Sequence, residues 1–193
     1  RAAIHTIGLS AHSTTVSSSF IMELSSGKVL SFADCAVIPM PTSEQLSTIA
    51  HDSASVYHAL TGEEPKIALL SFSTNGSAEH ERVHLVKDAL TMYKNRENGY
   101  DVDGELQFDA AWDKAVALRK SPESPVAGQA NVFVFPSLEA GNISYKMVER
   151  LAGAKATGPI IQGLDKPMLD LSRGCNAEDI VNTACVGVLM SKN

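Results

Sequence analysis

Apolar runs of strand length alternate with longer amphipathic segments along the chain, a pattern typical of α/β proteins. Lys66–Phe72 and Asn131–Phe135 are continuous apolar runs, as expected for strands that are buried on both faces. Val16–Leu24 alternates polar and apolar residues and is followed by a Ser-Ser-Gly-Lys turn, which predicts a hairpin with Val29–Phe32. Shorter or weaker strands are predicted at Val102–Phe108, Gly158–Ile161 and Met168–Leu171.

The amphipathic segments between these runs predict helices. Thr42 is a suitable N-cap for one of them, and Gly62 a suitable residue to end it. Helices are predicted at residues 1–7, Thr42–Leu60, 79–94, Ala110–Leu118, Ser137–Leu151 and Asn176–Met190. The last helix carries an apolar stripe that we expect to be buried, formed by Ile180, Val181, Ala184, Cys185, Val188 and Leu189.

Composition narrows the class of protein. The 193 residues carry a formal net charge of −6, and this acidic balance argues against a nucleic-acid-binding surface. No apolar stretch approaches the roughly 20 residues that a membrane-spanning helix needs. Cys35, Cys175 and Cys185 suit neither a disulfide framework nor a metal site, so we expect a reduced, cytoplasmic location and no bound metal. Because no initiator Met opens the chain, we expect a fragment, a processed product or a partly ordered chain.

A Ser/Gly-rich loop between a buried strand and a helix is the first candidate site. Hydroxyl groups, a glycine and a helix amino end can together bind an anion such as phosphate. The alternative is an ordinary turn in which Ser77 caps the helix. The candidate phosphate-binding residues are Ser73, Asn75, Gly76 and Ser77.

Two further segments need an explanation. Gly141 and Asn142 fall inside a predicted helix, where glycine costs about 1 kcal/mol relative to alanine. The glycine therefore indicates a close approach of a backbone or ligand, or a tight helix–helix contact. The acidic stretch Asp101–Asp109 lacks the spacing of a calcium loop and favours a solvated turn over a cation site.

The most specific candidate lies where the last predicted strand meets the last helix. Ser172 offers a hydroxyl, Arg173 a guanidinium that can grip a phosphate or an acyl oxygen, and Asp179 a carboxylate. Asp179 is also three residues after Asn176, the spacing of a capping box, so capping and proton abstraction are both open. Cys175 beside a helix amino end is a weaker candidate nucleophile, because no His neighbours it in the sequence.

Five phrases in this order resemble the carboxyl-terminal part of the phosphate acetyltransferase (phosphotransacetylase) family. They are Lys66–Ala78, Asp103–Ala111, Val126–Arg150, Gly158–Gly163 and Lys166–Asn182. The resemblance implies a three-layer α/β sandwich like that of isocitrate and isopropylmalate dehydrogenases, with a mixed, mostly parallel sheet. It also implies that residues 1–12 end a first-domain helix or linker, that 13–161 form a second α/β domain, and that 162–193 pack back on a mostly absent first domain.

The implied activity exchanges acetyl-CoA and phosphate for acetyl phosphate and CoA by direct transfer, in a homodimer, with CoA as a substrate and no cofactor. The family's catalytic residues fall on Ser172, Arg173 and Asp179, with Asp179 as the general base for the CoA thiol. Arg1 matches a substrate-binding arginine, and the candidate substrate-binding residues also include the Ser/Gly-rich loop and Asn142. The isolated chain is expected to have little activity, because half of the cleft wall is missing.

Two other functions stay open. One is a non-catalytic acetyl-CoA-sensing module of the kind attached to some malic enzymes, although such a module need not keep a base. The other is a phosphate butyryl- or propionyltransferase, because one methylene changes discrimination by only about 1–3 kcal/mol.

Overall fold

A mixed β-sheet organises the chain in the computed structural model, which describes residues 2–96, 99–171 and 174–191. The seven described strands are β1 Ser17–Glu23, β2 Val29–Ala33, β3 Lys66–Leu70, β4 Asp101–Leu106, β5 Val132–Val134, β6 Lys155–Gln162 and β7 Met168–Leu169. They lie in the sheet in the order β4-β3-β5-β2-β1-β6-β7.

Strand direction confirms the predicted sheet type. Strands β2, β3, β4 and β5 are parallel neighbours, and β6 runs in the same direction because both β2 and β6 pair antiparallel with β1. Only β1 and β7, among the described strands, run the other way. β1 and β2 form the predicted hairpin, with Phe20 opposite Phe32.

Seven described helices accompany the sheet, at α1 Ala2–Thr6, α2 Ser43–Thr61, α3 Glu81–Lys94, α4 Phe108–Trp112, α5 Lys114–Lys120, α6 Leu138–Ala152 and α7 Ala177–Met190. Thr42 caps α2 through a capping box with Gln45, and Gly62 ends it, as predicted. The helix predicted at 110–118 is in fact two helices. Asp113 breaks it, because this residue is extended and its carboxylate accepts the backbone N–H groups that begin α5.

The core has two layers, one on each face of the sheet. Alternate residues of a strand point to opposite faces, so Ile67 and Leu69 of β3 pack with α2 and α3, whereas Ala68 and Leu70 face α4 and α6. Helices therefore cover both faces, and the predicted three-layer α/β sandwich is confirmed. The domain boundaries at residues 12 and 161 stay a prediction.

The prediction of a buried stripe on α7 is wrong for this chain. Among the described residues, α7 packs mainly against α2 and the edge strands β6 and β7. Its apolar stripe faces away from these elements, so Ile180, Val181 and Val188 are 51%, 60% and 57% exposed. Ala184, Cys185 and Leu189 are exposed as well. In the described part of the chain, no helix has both the length and the apolarity to cross a membrane.

Candidate functional site

A cavity of about 560 Å³ lies between α6, β6 and the amino end of α7. This volume is within the range of about 300–1,000 Å³ that is usual for small-molecule sites. Phe20 of β1 and Tyr145 of α6 stack with ring centroids 4.0 Å apart and give the cavity an aromatic wall. Polar and charged groups complete the lining, among them Lys146, Arg150, Thr157, Asp170, Cys175 and Asp179.

Asp179 both caps the amino end of α7 and lines the cavity. It forms a capping box with Asn176, in which the Asn176 N–H donates to Asp179 Oδ2 at 2.9 Å and Asn176 Oδ1 accepts the Asp179 N–H at 3.0 Å. Its side chain also lines the cavity and is exposed. Within the described residues, Oδ1 of Asp179 has no hydrogen-bond donor. Capping therefore leaves one carboxylate oxygen available to the cavity, and the two predicted roles of Asp179 are compatible.

The other predicted catalytic residues, Ser172 and Arg173, lie outside the described residues, as does Arg1. Leu171 and Gly174, which flank the Ser-Arg pair in the sequence, both line the cavity. Of the residues in the Lys166–Asn182 phrase, the cavity lining therefore includes Leu171, Gly174 and Asp179.

The Ser/Gly-rich loop lies elsewhere. It follows β3, and three strands separate β3 from β6 in the sheet. Its donors already bind an anion of the chain, because the Ser73 hydroxyl and the Gly76 N–H each donate to Oε1 of Glu105 at 2.8 Å. Glu105 is only 2% exposed, and the Lys87 ammonium lies 4.0 Å from its other oxygen. The anion-binding geometry is therefore real, but the described ligand is a buried carboxylate.

The remaining polar groups of this loop bond within the protein. Asn75 donates to the Ser121 hydroxyl and to the Lys120 carbonyl. The Ser77 hydroxyl accepts the Thr74 N–H, and the N-cap of α3 is His80 rather than Ser77. The structure does not bring Ser73, Asn75, Gly76 and Ser77 to the cavity that Asp179 lines. Their assignment to substrate binding stays a prediction.

At Gly141, helix α6 comes close to the backbone of the loop after β2. A close approach of a backbone was one of the predicted reasons for a glycine inside this helix. A Cβ atom here would overlap the carbonyl oxygen of Asp34 and lie 3.2 Å from the Cys35 sulfur. The neighbouring Asn142 side chain also contacts this loop, since its Nδ2 donates to the Cys35 carbonyl at 3.0 Å. Its Oδ1 accepts a hydrogen bond from the Lys146 ammonium at 2.7 Å.

The loop after β2 is held rigidly beneath α6. The Asp34 carboxylate, 2% exposed, accepts the Ser18 hydroxyl and the backbone N–H groups of Ala36 and Ile38 at 2.5, 3.0 and 2.7 Å. Burial, followed by the charge of Asp34, raises the pKa of the Cys35 thiol well above its usual value. Cys35 is therefore an unreactive core residue that helps to seat α6.

Lys146 and Arg150 were not among the predicted site residues, although both line the cavity. The available signal was their i, i+4 spacing, which puts two basic side chains on one face of α6. Arg150 lies 3.6 Å from the carboxylate of Glu149. Within the described ranges, no group of three or more His, Cys, Asp and Glu side chains is placed to hold a metal ion.

The fold and the cavity define an α/β protein with a ligand-sized site where an aromatic wall, two cations and three carboxylates meet. The model of the Phosphate acetyl/butaryl transferase family matches residues 1–188, so the chain belongs to that family. It is 48% identical over 198 residues to phosphate acetyltransferase of Paracoccus denitrificans, covering 100% of this chain and 62% of that protein. The chain thus spans less than two thirds of the length of this relative.

Solved structures agree with the assignment. A phosphotransacetylase from Streptococcus pyogenes superposes with a TM-score of 0.95 at 42% identity, covering 98% of this chain and 58% of that one. A 4-hydroxythreonine-4-phosphate dehydrogenase from Klebsiella pneumoniae shares the fold, with a TM-score of 0.58 at 12% identity, covering 98% of this chain and 57% of that chain. This second likeness is consistent with the predicted dehydrogenase-like architecture.

Proposed function

We propose that the protein containing this chain interconverts acetyl-CoA plus phosphate and acetyl phosphate plus CoA. The observation that carries the proposal is the position of Asp179, at the amino end of α7 with a carboxylate oxygen available to a cavity of about 560 Å³. The family membership and the match through the Lys166–Asn182 segment support the same activity.

In the proposed reaction, Asp179 removes the proton of the CoA thiol as the sulfur attacks the carbonyl carbon of acetyl phosphate. A carbon–sulfur bond forms, and the bond between the carbonyl carbon and the phosphate oxygen breaks. The leaving phosphate keeps that electron pair, and the proton remains on the carboxyl group until it returns to solvent. Because a thiol with a pKa of about 8.5 is only a few per cent thiolate at neutral pH, a positioned base accelerates this step.

The resemblance to the family assigns proposed roles to Ser172 and Arg173. Ser172 orients the sulfur, and Arg173 stabilises the negative charge that develops in the tetrahedral transition state. Cys175 has no covalent role in direct transfer. CoA is a substrate in this scheme, and neither a metal nor another cofactor takes part.

A pair of substitutions separates catalysis from helix capping. Asp179→Asn removes the base, and we expect kcat to fall by about 10²–10⁴-fold, the usual contribution of a general base. Asn176→Ala removes the N-cap, and we expect a loss of about 0.5–2 kcal/mol of stability with much of kcat kept. Both variants are made in the complete gene product, and CoA-dependent consumption of acetyl phosphate and thermal unfolding are measured. Near-normal kcat in Asp179→Asn would remove this residue from the mechanism.

The alternative functions have their own tests. A sensing module would bind acetyl-CoA without turnover, so a complete gene product that binds acetyl-CoA but leaves acetyl phosphate unchanged would favour it. A butyryl- or propionyltransferase would show a higher kcat/KM for the longer acyl phosphate, so the three acyl phosphates are compared under one set of conditions.

The homodimer, the cytoplasmic location and the domain division also belong to the proposal. The three cysteines are free, which suits a reducing compartment. The exposed stripe of α7 supports the packing of residues 162–193 on another part of the protein, because large exposed apolar patches mark interaction surfaces. Leu189→Asp should then destabilise the complete gene product more than it destabilises the isolated chain.

A further inference from the structure

We infer that Lys146 is the cation that binds a phosphate group in the cavity, and that Asn142 is a positioning residue that holds it there. The inference rests on the proposed function and deepens it, because it names the group in the described chain that would recognise a phosphoryl substrate. It also gives Asn142 an indirect role in place of the direct substrate contact that the sequence predicted.

Charge compensation distinguishes Lys146 from Arg150. Arg150, the other basic residue among the described residues that line the cavity, lies 3.6 Å from its neighbour Glu149. The Lys146 ammonium has no carboxylate within ion-pair distance among the described residues, and its hydrogen bond is to the neutral amide oxygen of Asn142. Lys146 thus has no described carboxylate beside it to compensate its charge, and two further N–H donors remain for a ligand.

Hydrogen bonds hold the Lys146 ammonium in place. The ammonium is the mobile end of a long side chain, and ordering such a chain costs up to about 2 kcal/mol. Here the Asn142 amide links it to the Cys35 carbonyl on the rigid loop after β2, through bonds of 2.7 and 3.0 Å. The ammonium also lies 5.2 Å from the centroid of the Tyr145 ring that forms the cavity wall. Lys146 is therefore held in position before a ligand arrives, and this reduces the entropy cost of binding.

The chemistry of the Lys146 ammonium fits a phosphate ligand. A cation with free donors beside a cavity recognises an anion, and phosphate oxygens are strong acceptors of charge-assisted hydrogen bonds. The acidic groups that line the cavity, Glu149, Asp170 and Asp179, would repel an anion, so an unpaired cation is needed to offset them. Both substrates of the proposed reaction carry phosphate, and the experiment must distinguish inorganic or acetyl phosphate from the phosphate groups of CoA.

The test uses the complete gene product with Lys146→Met, which keeps the length of the side chain and removes its charge. We expect the KM of one phosphate-bearing substrate to rise about tenfold or more, with a smaller change in kcat. A rise for phosphate and acetyl phosphate assigns Lys146 to the transferred phosphoryl group. A rise for CoA that is absent for dephospho-CoA assigns it to the 3′-phosphate. Lys66→Met, at an ion pair on β3 outside the cavity, is the matched control and should leave both KM values unchanged.

Asn142→Ala tests the positioning role. It should raise the same KM by a smaller factor in the wild-type background and add nothing in the Lys146→Met background, because the two residues act through one contact. Additive effects would show that Asn142 acts separately. If Lys146→Met has unchanged KM values in a protein that transfers acetyl groups, the inference about Lys146 is wrong and the proposed function still holds.

Wild-type protein without transferase activity would instead overturn the proposed function. In that case, calorimetric titration with inorganic phosphate and with CoA still tests Lys146, since its loss must weaken the binding of one of them. Equal affinities of wild type and Lys146→Met for both ligands would refute the inference.

Discussion

Gly141→Ala offers a quantitative check on the seating of α6. Alanine in a helix interior is better than glycine by about 1 kcal/mol, so propensity alone predicts a more stable protein. At this position the new methyl group would overlap the Asp34 carbonyl oxygen, a backbone atom fixed by the hydrogen bonds of the Asp34 carboxylate. Overpacking costs about 1–3 kcal/mol, and the upper end applies because the obstacle is backbone. The net expectation is a destabilisation of about 2 kcal/mol.

The assay is thermal and urea unfolding of the complete gene product, followed by circular dichroism. For a cooperative unit of about 150–250 residues, which includes this chain, about 2 kcal/mol corresponds to a fall in Tm of roughly 4–8 °C, and a larger cooperative unit gives a smaller fall. Gly187→Ala is the matched control, because Gly187 also lies inside a helix. Its new Cβ would meet only the end of the Leu169 side chain at 3.0 Å, which can move aside. We expect Gly187→Ala to raise Tm slightly, and an equal rise in Gly141→Ala would refute the close-approach argument.

Three further predictions concern buried ionisable groups. Glu105→Ala should lower the free energy of unfolding by about 2–4 kcal/mol, because two donors lose their acceptor, whereas Glu105→Gln should lose less in the same urea titration. Cys35 should resist alkylation at pH 8 in the native protein and react when the protein is unfolded. Mass spectrometry of the peptide that contains Cys35 measures the labelling, and rapid labelling of the native protein would contradict the burial of this thiol. The free energy of unfolding should fall from about pH 9 upward. Burial raises the pKa values of Cys35 and Tyr57, and it raises the pKa of Tyr93 from 10.0 to about 12. The unfolded chain therefore loses these protons at a lower pH than the folded protein does, which favours unfolding. Tyr93→Phe should make this decline shallower, and an unchanged slope would show that Tyr93 contributes nothing to it.

Local signals made most of the secondary structure predictable. Thr42 and Gly62 define the ends of α2 because capping depends on residues within one turn of the helix end. The run Lys66–Phe72 indicates a buried strand because a strand that is covered on both faces carries apolar residues at consecutive positions. The prediction runs too far, since β3 ends at Leu70 and Phe72 is 56% exposed. Asp113 was missed as a break because its capping of α5 competes with a continuous helical pattern.

The sequence by itself also determined the class of the protein, since the phrases that match the family lie in consecutive segments. Only the tertiary structure decided which candidate residues meet. Glu105 fills the anion site of the Ser/Gly-rich loop from 29 residues beyond Gly76, and α6 brings Lys146 to the cavity that Asp179 lines from a different helix. Such contacts depend on strand order and on helix packing, which no local pattern encodes. For the same reason, the apolar stripe of α7 predicted burial, although no described element of this chain covers it.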